Sequence, residues 1–338
     1  MTSQACGSTG SVRRTVWLWG LVALAAVLGA PFIGAFSIPV SDALRGTLDE
    51  TAQRILFDIR VPRVLIAFLT GAALGLGGLV FQTVFRNVLA TPYTLGVSSG
   101  AALGAAIYFK LGAAVSLCGI AGSTIAALGG AVVVVLVIDR IAARNVPATT
   151  LLLCGVVVAL FSGSLISFLE YTSGFTTVFQ LSRWLMGGLD AVAPAAVLPL
   201  LPLIIGAFVV IGLRIGNLNI LALGDELAAA RGVDAFRERR VLLVVVSLMI
   251  GAVVSFAGPI GFVGMIVPQA LRLILGVDNR RLLPATIFAA GAFLVVCDTV
   301  ARTISAPFEL PVGIVTALLG GPYFLVLLLR TSGPSSRP

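Results

Sequence analysis

The segment from Arg60 to Ala101 reads RVPRVLIAFLTGAALGLGGLVFQTVFRNVLATPYTLGVSSGA, and it decides the fold class. Arg63 and Arg86 bracket the uncharged run 64–85. A helix needs about 20 apolar residues to cross the hydrocarbon core of a bilayer, so this run is long enough. A polar turn follows, and then a second apolar run that opens with Gly and Ser. The segment therefore predicts two consecutive membrane-spanning helices.

The composition of the whole chain extends this prediction to all 338 residues. Apolar residues make up 59% and charged residues 11%, whereas a soluble domain carries roughly 25% charged residues. The chain contains no histidine, which is the commonest metal ligand and general base. It also has no phosphate-binding loop of the form GxxxxGK[ST]. We therefore expect no catalytic, cofactor or metal site, and any ATP must be bound by another chain.

Apolar runs predict ten spans in a single membrane domain. A break at Gly258-Pro259 is predicted because the uncharged run 241–271 is too long for one helix. The predicted spans are 15–36, 64–85, 93–109, 111–138, 149–169, 192–213, 241–257, 260–276, 282–304 and 311–329.

The net charge of +8 is interpreted as membrane topology, because the arginines separate apolar runs and form no stripe for nucleic acid. With both termini in the cytoplasm, most of the 22 Lys and Arg residues lie inside. Glycine pairs such as Gly71 with Gly75 and Gly100 with Gly104 predict close helix packing within one subunit, or at a subunit interface. Four cysteines are interpreted as small buried apolar residues: Cys6, Cys118, Cys154 and Cys297.

The longest inner loop, 214–240, predicts a short helix. Asp225 and Glu226 precede an apolar run, and acidic residues favour a helix N-terminus. Gly232 suits the position just after a helix, and a second helix is expected at 234–240. The residues alone leave two alternatives open, a docking surface for a soluble partner and an amphipathic helix on lipid.

Three arginines are predicted at the outer face: Arg60, Arg63 and Arg302. They can extend to lipid headgroups, which the residues alone favour, or they can pair with carboxylates of an outside protein. Asp298 precedes Arg302 by four residues, so we expect a structural ion pair on one helix face. A proton-coupled transporter would need a second buried acid or a histidine, and a purely structural anchor would not need polar turns at 86–92 and 97–100.

Several blocks together resemble the FecCD family, the permease subunits of ABC importers for iron-siderophores, haem and vitamin B12. The blocks are RVPR at 60–63, RNVLATP at 86–92, LGVSSGAALGA at 95–105, GDELAAARGV at 224–233, AGPIGFVGMIVPQALRLILGVDNRRLLP at 257–284 and ELPVGIVTALLGGPYFLVLLLR at 309–330. The resemblance implies an all-α integral membrane protein with about ten transmembrane helices and the type II importer permease fold. In this fold the chain resembles the vitamin B12 importer permeases.

The resemblance also implies partners. These are two ATP-binding subunits inside, a periplasmic or lipid-anchored substrate-binding protein outside, and a second permease copy, in the plasma (inner) membrane of a bacterium. It places binding-protein docking at Arg60, Arg63 and Arg302, which reverses the preference for lipid headgroups. It implies a cytoplasmic gate at Asn87, Leu89, Ala148 and Thr149. It assigns ATPase coupling, within the loop 222–240, to Gly224, Asp225, Glu226, Leu227, Ala229, Ala230 and Gly232.

The sequence departs from the family pattern at Val88, Gln269 and Asn279, where Pro, His and His are usual. None of these positions is a predicted docking residue, so the transport class is unaffected. The expected function is ATP-driven import of a metal chelate. Iron-siderophore or haem is the first expectation for the cargo, and vitamin B12 is the alternative.

Overall fold

A computed structural model describes residues 9–34, 36, 38–112, 116–117, 120–189, 192, 194–304 and 308–331. Within them the chain is a bundle of apolar helices. In chain order the α-helices are α1 (Thr9–Gly29), α2 (Val40–Arg45), α3 (Glu50–Arg54), α4 (Val61–Val84), α5 (Val97–Leu111), α6 (Gly122–Ala142), α7 (Ala148–Tyr171), α8 (Phe175–Leu185), α9 (Pro194–Val197), α10 (Leu201–Leu213), α11 (Ile215–Ala222), α12 (Asp225–Ala230), α13 (Ala235–Ala257), α14 (Val263–Leu275), α15 (Asn279–Thr303) and α16 (Val312–Thr331).

Seven helical segments in the described part of the chain are long and apolar enough to cross a membrane. They are Thr15–Phe32, Glu50–Val84, Gly122–Ala142, Ala148–Tyr171, Pro194–Leu213, Ala235–Ala257 and Asn279–Thr303. The helices α5 and α14 and the apolar part of α16, Val312–Val326, complete the bundle. Each of the ten predicted ranges therefore contains a helix, but α5 with 15 residues and α14 with 13 are shorter than the length usually needed to span.

Several helix boundaries differ from the predicted ranges. The predicted range 111–138 begins too early, because Ser116–Leu117 (β1) and Ile120–Ala121 (β2) form an antiparallel pair before α6. The helix expected at 234–240 is the first part of α13, which continues into the next span. The helices α2, α3, α8 and α11 lie where the sequence predicted only connections.

The centre of the bundle is α4, which packs against α13, α14 and α15. Helical structure is continuous from Glu50 to Val84, because a π-helical turn at Ile55–Arg60 joins α3 to α4. Close contact depends on glycine: a Cβ at Gly75 would lie 2.4 Å from the Cβ of Ala290 on α15. A Cβ at Gly130 on α6 would likewise lie 2.1 Å from the carbonyl oxygen of Gly100 on α5. Both predicted glycine pairs therefore pack within one subunit.

The uncharged run 241–271 breaks where the sequence places the break, with α13 ending at Ala257 and α14 beginning at Val263. Tyr93 fixes the intervening segment, because its hydroxyl donates to the carbonyl of Ile260 at 2.5 Å and accepts from the N–H of Ile260 at 2.8 Å. The bundle therefore has two ends. The start of α4 and the end of α15 lie together at one, and the end of α4 and the start of α15 lie at the other.

Two of the four cysteines lie in the described part of the chain, and both are free thiols. Cys297 is buried, as predicted, whereas Cys154 on α7 is partly exposed. Cys6 and Cys118 lie outside the described residues.

Candidate functional site

At the first end of the bundle, Arg63 is held by two carboxylates from distant parts of the chain. Its Nε and Nη2 donate to Oδ1 of Asp298 at 3.1 and 2.9 Å. Its Nη1 donates to Oε2 of Glu309 at 2.7 Å. Asp298 is 1% exposed and Arg63 is 9% exposed. Arg63 therefore joins the start of α4 to the end of α15 and to the segment before α16.

Arg302 and Arg60 complete this group, which we call the outer arginine cluster after its predicted side of the membrane (Arg60, Arg63, Asp298, Arg302 and Glu309). Arg302 Nε lies 3.1 Å from Oδ2 of Asp298, and its Nη2 lies 3.4 Å from the carbonyl oxygen of Ala30. Arg60 donates from Nη1 to the carbonyl of Pro31 at 3.0 Å and from Nη2 to that of Phe36 at 2.7 Å. Both arginines are 7% exposed.

The cluster brings the three predicted docking arginines together, but in a different state from the one expected. In the single chain all three are buried, and their donors are bonded to carboxylates and backbone carbonyls. The ion pair expected between Asp298 and Arg302 is present. Asp298 also binds Arg63, which local spacing could not indicate because the two residues are 235 positions apart. Docking at these arginines remains a prediction.

At the opposite end, Asp225 at the start of α12 bridges two arginines. Oδ1 accepts from Arg86 at 2.6 Å, and both carboxylate oxygens accept from Arg239 at 2.8 Å. Burial raises the pKa of Asp225, but the hydrogen bonds and charges of Arg239 and Arg86 lower it more, so the net pKa lies below the usual range. The loop 214–240 is thereby tied to the end of α4 and to α13.

The predicted coupling residues surround this bridge. Gly224 has φ 121° and Gly232 has φ 75°, the left-handed region predicted after a helix for Gly232. On α12, Ala228 faces inward at 0% exposure, whereas Leu227 is 53% exposed. The other exposed coupling residues on this helix are Glu226, Ala229 and Ala230. The helix thus presents an outward face whose central side chain is apolar.

The predicted gate residues occupy two separate segments. Asn87 and Leu89 lie in the turn after α4, where the Asn87 side chain accepts from the N–H of Leu89 at 2.9 Å. Ala148 and Thr149 form the start of α7. Two turns later, α7 contacts the segment 92–95, because a Cβ at Gly155 would lie 2.2 Å from the carbonyl oxygen of Thr94. A gate between the two segments remains a prediction.

A cleft of about 620 Å³, absent from the sequence predictions, lies beside this turn. We call it the Arg272 cleft. Three arginines line it. All three positions that depart from the family pattern, Val88, Gln269 and Asn279, line it as well. The lining residues are Gln82, Thr83, Arg86, Asn87, Val88, Asn219, Ile220, Ala222, Leu223, Arg231, Gln269, Arg272, Val277, Asp278 and Asn279.

The described residues contain no group of three or more His, Cys, Asp or Glu side chains that could hold a metal ion. Asp298 and Glu309 in the outer arginine cluster, and Asp225 at the opposite end, are instead bonded to arginines.

Comparison with known proteins agrees with this architecture. The chain matches the FecCD transport family over residues 21–330. It is 40% identical over 345 residues to the cobalamin import system permease protein BtuC of Halobacterium salinarum, covering 97% of this chain and 92% of that protein. It is 36% identical to the hemin transport system permease protein HmuU of Yersinia pestis, covering 95% of this chain and 96% of that protein.

A solved structure shows the same fold. It is an ABC transporter classed as metal-chelate type, in an inward-facing conformation, and it superposes with a TM-score of 0.83 at 27% identity. The match covers 94% of this chain and 99% of that chain. The chain is therefore a multi-span membrane permease of an ABC importer, a transport component and not an enzyme, and it belongs to the FecCD transport family.

Proposed function

We propose that the chain forms the membrane path through which an iron-siderophore or haem enters the cell, with vitamin B12 as the alternative cargo. The relatives support both forms of the proposal equally, since one is named for hemin and another for cobalamin. All of these cargoes are metal chelates too large for an ion channel. Recognition of the cargo then rests mainly with a separate substrate-binding protein.

The observation that carries an ATP-driven mechanism is the exposed face of α12 beside the Asp225 bridge. Leu227 is 53% exposed there, as is Leu223 just before the helix. An apolar side chain presented on a short, firmly held helix suits a pocket on a soluble subunit. Arg86, which binds Asp225, directly precedes Asn87 of the predicted gate. Movement of the loop by an ATPase would therefore reach the gate through one ion pair.

The outer arginine cluster supports docking of the binding protein at the first end. Three arginines face two carboxylates there, which leaves one positive charge in excess. Glu309 is the accessible carboxylate, with its side chain 41% exposed. A carboxylate on the binding protein could take the place of Glu309 on Arg63. Since the arginines are buried, docking then requires Glu309 to move away first.

The proposed assembly has two copies of this chain, two ATPase subunits and one binding protein in the plasma membrane, with both termini of this chain in the cytoplasm. Apolar side chains on the outward face of α7 support a second copy, because Leu153, Val157 and Phe161 are all well exposed in the single chain. Lipid would cover the outward faces of the other peripheral helices.

The coupling surface can be tested by detaching the ATPase. Replacing Leu227 and Ala229 with Asp should release the ATPase from the purified complex on gel filtration, because two carboxylates would be buried at the contact. Val40→Asp is the matched control, since Val40 is an exposed apolar residue at the start of α2. An intact complex with the double variant would remove the coupling role from α12.

The cargo can be tested by transport. Proteoliposomes with the permease, its ATPase and its binding protein should take up radiolabelled haem or iron-siderophore only when ATP is supplied. Uptake of cobalamin in preference to both would establish the alternative. The matched control omits the ATPase and imposes a pH gradient, and cargo accumulation under that condition would contradict ATP coupling.

A further inference from the structure

Arg272 on α14 has no carboxylate partner among the described residues. Arg60 shares this property, but its donors are bonded to backbone carbonyls and it does not line the cleft. Its Nη1 donates to Oε1 of Gln82 at 2.7 Å. Its Nη2 lies 3.1 Å from Oγ1 of Thr83 and 3.4 Å from the carbonyl oxygen of Leu79. All three acceptors are neutral. The positive charge is thus held in place but not neutralised, and a guanidinium has five N–H donors, so some remain available.

Two more arginines line the same cleft, which makes its electrostatic potential positive. Arg86 shares Asp225 with Arg239, and Arg231 is exposed with no carboxylate partner in the described chain. Asp278 is the acid in the lining. Its Oδ1 accepts from the side chain of Asn219 at 2.7 Å and from the N–H of Arg280 at 3.0 Å, and its Oδ2 lies 3.5 Å from Nε of Arg281. The cleft therefore has unused capacity for an anion.

The rim of the cleft is apolar and continues onto the outside of α14. Val277 in the turn after α14 is 81% exposed. Leu273 and Ile274, one turn earlier, are also well exposed. In a membrane permease such side chains face acyl chains. A ligand bound in this cleft would therefore have its polar part against the arginines and an apolar part beside α14.

We propose that the Arg272 cleft binds the phosphate group of an anionic phospholipid headgroup. Basic pockets between helices at the cytoplasmic side of membrane proteins suit such headgroups. The assignment of this lipid to the cytoplasmic leaflet depends on the proposed orientation of the chain, whereas the existence of the binding site does not. The bound phosphate accepts from Arg272 and Arg231, and it lies near the Arg86–Asp225 ion pair. Lipid occupancy would thus set the charge beside the coupling loop.

The full-length chain in nanodiscs with equal amounts of phosphatidylglycerol and phosphatidylcholine tests this proposal. Native mass spectrometry of the released protein should show preferential retention of phosphatidylglycerol. Arg231→Gln should reduce this preference about fivefold, since each basic residue near a lipid phosphate has an effect of that order. Arg272→Gln should reduce it at least as much, whereas Arg272→Lys should retain part of it. An equal retention of both lipids by the wild type would overturn the proposal.

The matched control is Arg144→Gln, an exposed arginine after α6 that does not line the cleft. Its lipid preference should equal that of the wild type. If Arg272→Gln fails to fold, Arg231→Gln decides the outcome, because Arg231 is exposed and its side chain has no partner among the described residues to lose. Inorganic phosphate in excess should leave the lipid bound. Displacement of the lipid by inorganic phosphate would assign the cleft to a free phosphate and overturn the lipid assignment.

Discussion

The outer arginine cluster and the Arg272 cleft use the same kind of side chain in opposite ways. In the cluster, Asp298 is 1% exposed and lies within 3.2 Å of two guanidinium groups, so most of the charge is balanced inside the chain. In the cleft, Arg272 is bonded to an amide, a hydroxyl and a carbonyl, and the site stays open to solvent. Arg63 and Arg302 join helices together through their shared carboxylate. Arg272, which has neutral partners and lines an open cleft, is positioned for an anion from outside.

The largest effect is expected from removing the acid of the outer cluster. Asp298→Asn should lower the free energy of unfolding by about 3–5 kcal/mol, because two buried arginines lose their shared carboxylate. Thermal unfolding in detergent measures this, with Asp58→Asn as a control at an exposed acid near Arg60. The pH dependence of transport should not change, since Asp298 has an arginine-bound structural role. Unchanged stability would mean that the cluster does not hold α4 and α15 together.

Removing Gln82, the main neutral partner of Arg272, should lower the stability less than removing the carboxylate of Asp298 does. Gln82→Leu should lower the free energy of unfolding by about 1–3 kcal/mol, the usual cost of leaving buried polar partners unsatisfied. Its amide also donates to the carbonyls of Gly264 and Met265, at 3.1 and 3.2 Å. Gln53→Leu on the exposed face of α3 is the control. A loss as large as that of Asp298→Asn would remove the distinction between the two regions.

Glu309→Gln separates docking from stability within the outer cluster. The side chain is 41% exposed, so the variant should lose less than about 1 kcal/mol of stability. The affinity for the binding protein should rise, because Arg63 would no longer hold a competing carboxylate. Titration of the two purified proteins measures this. A weaker affinity would mean that Glu309 contacts the binding protein directly and is not displaced by it.

The smallest effect concerns the bridge at Asp225 and its pH dependence. The Asp225 pKa lies below the usual range, so the ionised carboxylate stabilises the fold above the unfolded pKa, and this contribution disappears as pH falls through the folded pKa. Asp225→Asn should therefore cost about 0.2–1 kcal/mol at neutral pH, because the Asp225 side chain is 40% exposed, its pair with Arg86 is screened by solvent, and the amide oxygen can still accept from the buried Arg239. Unfolding followed against pH measures it. Glu226→Gln, at the exposed neighbouring acid, is the control for the loss of one negative charge at neutral pH.

Local sequence signals predicted much of this molecule. The apolar runs located the long helices, and Asp225 with Gly232 located both ends of α12. Contacts between distant segments could not be predicted in this way. Arg63 and Glu309 are 246 positions apart, and no spacing rule joins them. The Arg272 cleft was missed for the same reason, since four separate segments form its walls.

The π-helical turn at Ile55–Arg60 has a consequence for how the length of this segment can vary. Such a turn accommodates one residue more than an α-helix would. Deleting one residue there should therefore restore α-helical winding and leave the segments on either side close to their present orientation. Deleting one residue inside α4 would instead rotate everything upstream by roughly 100°, because no π-helical turn absorbs the change. The small apolar cluster of Ile38, Ala52 and Leu56 would keep its alignment in the first case and lose it in the second.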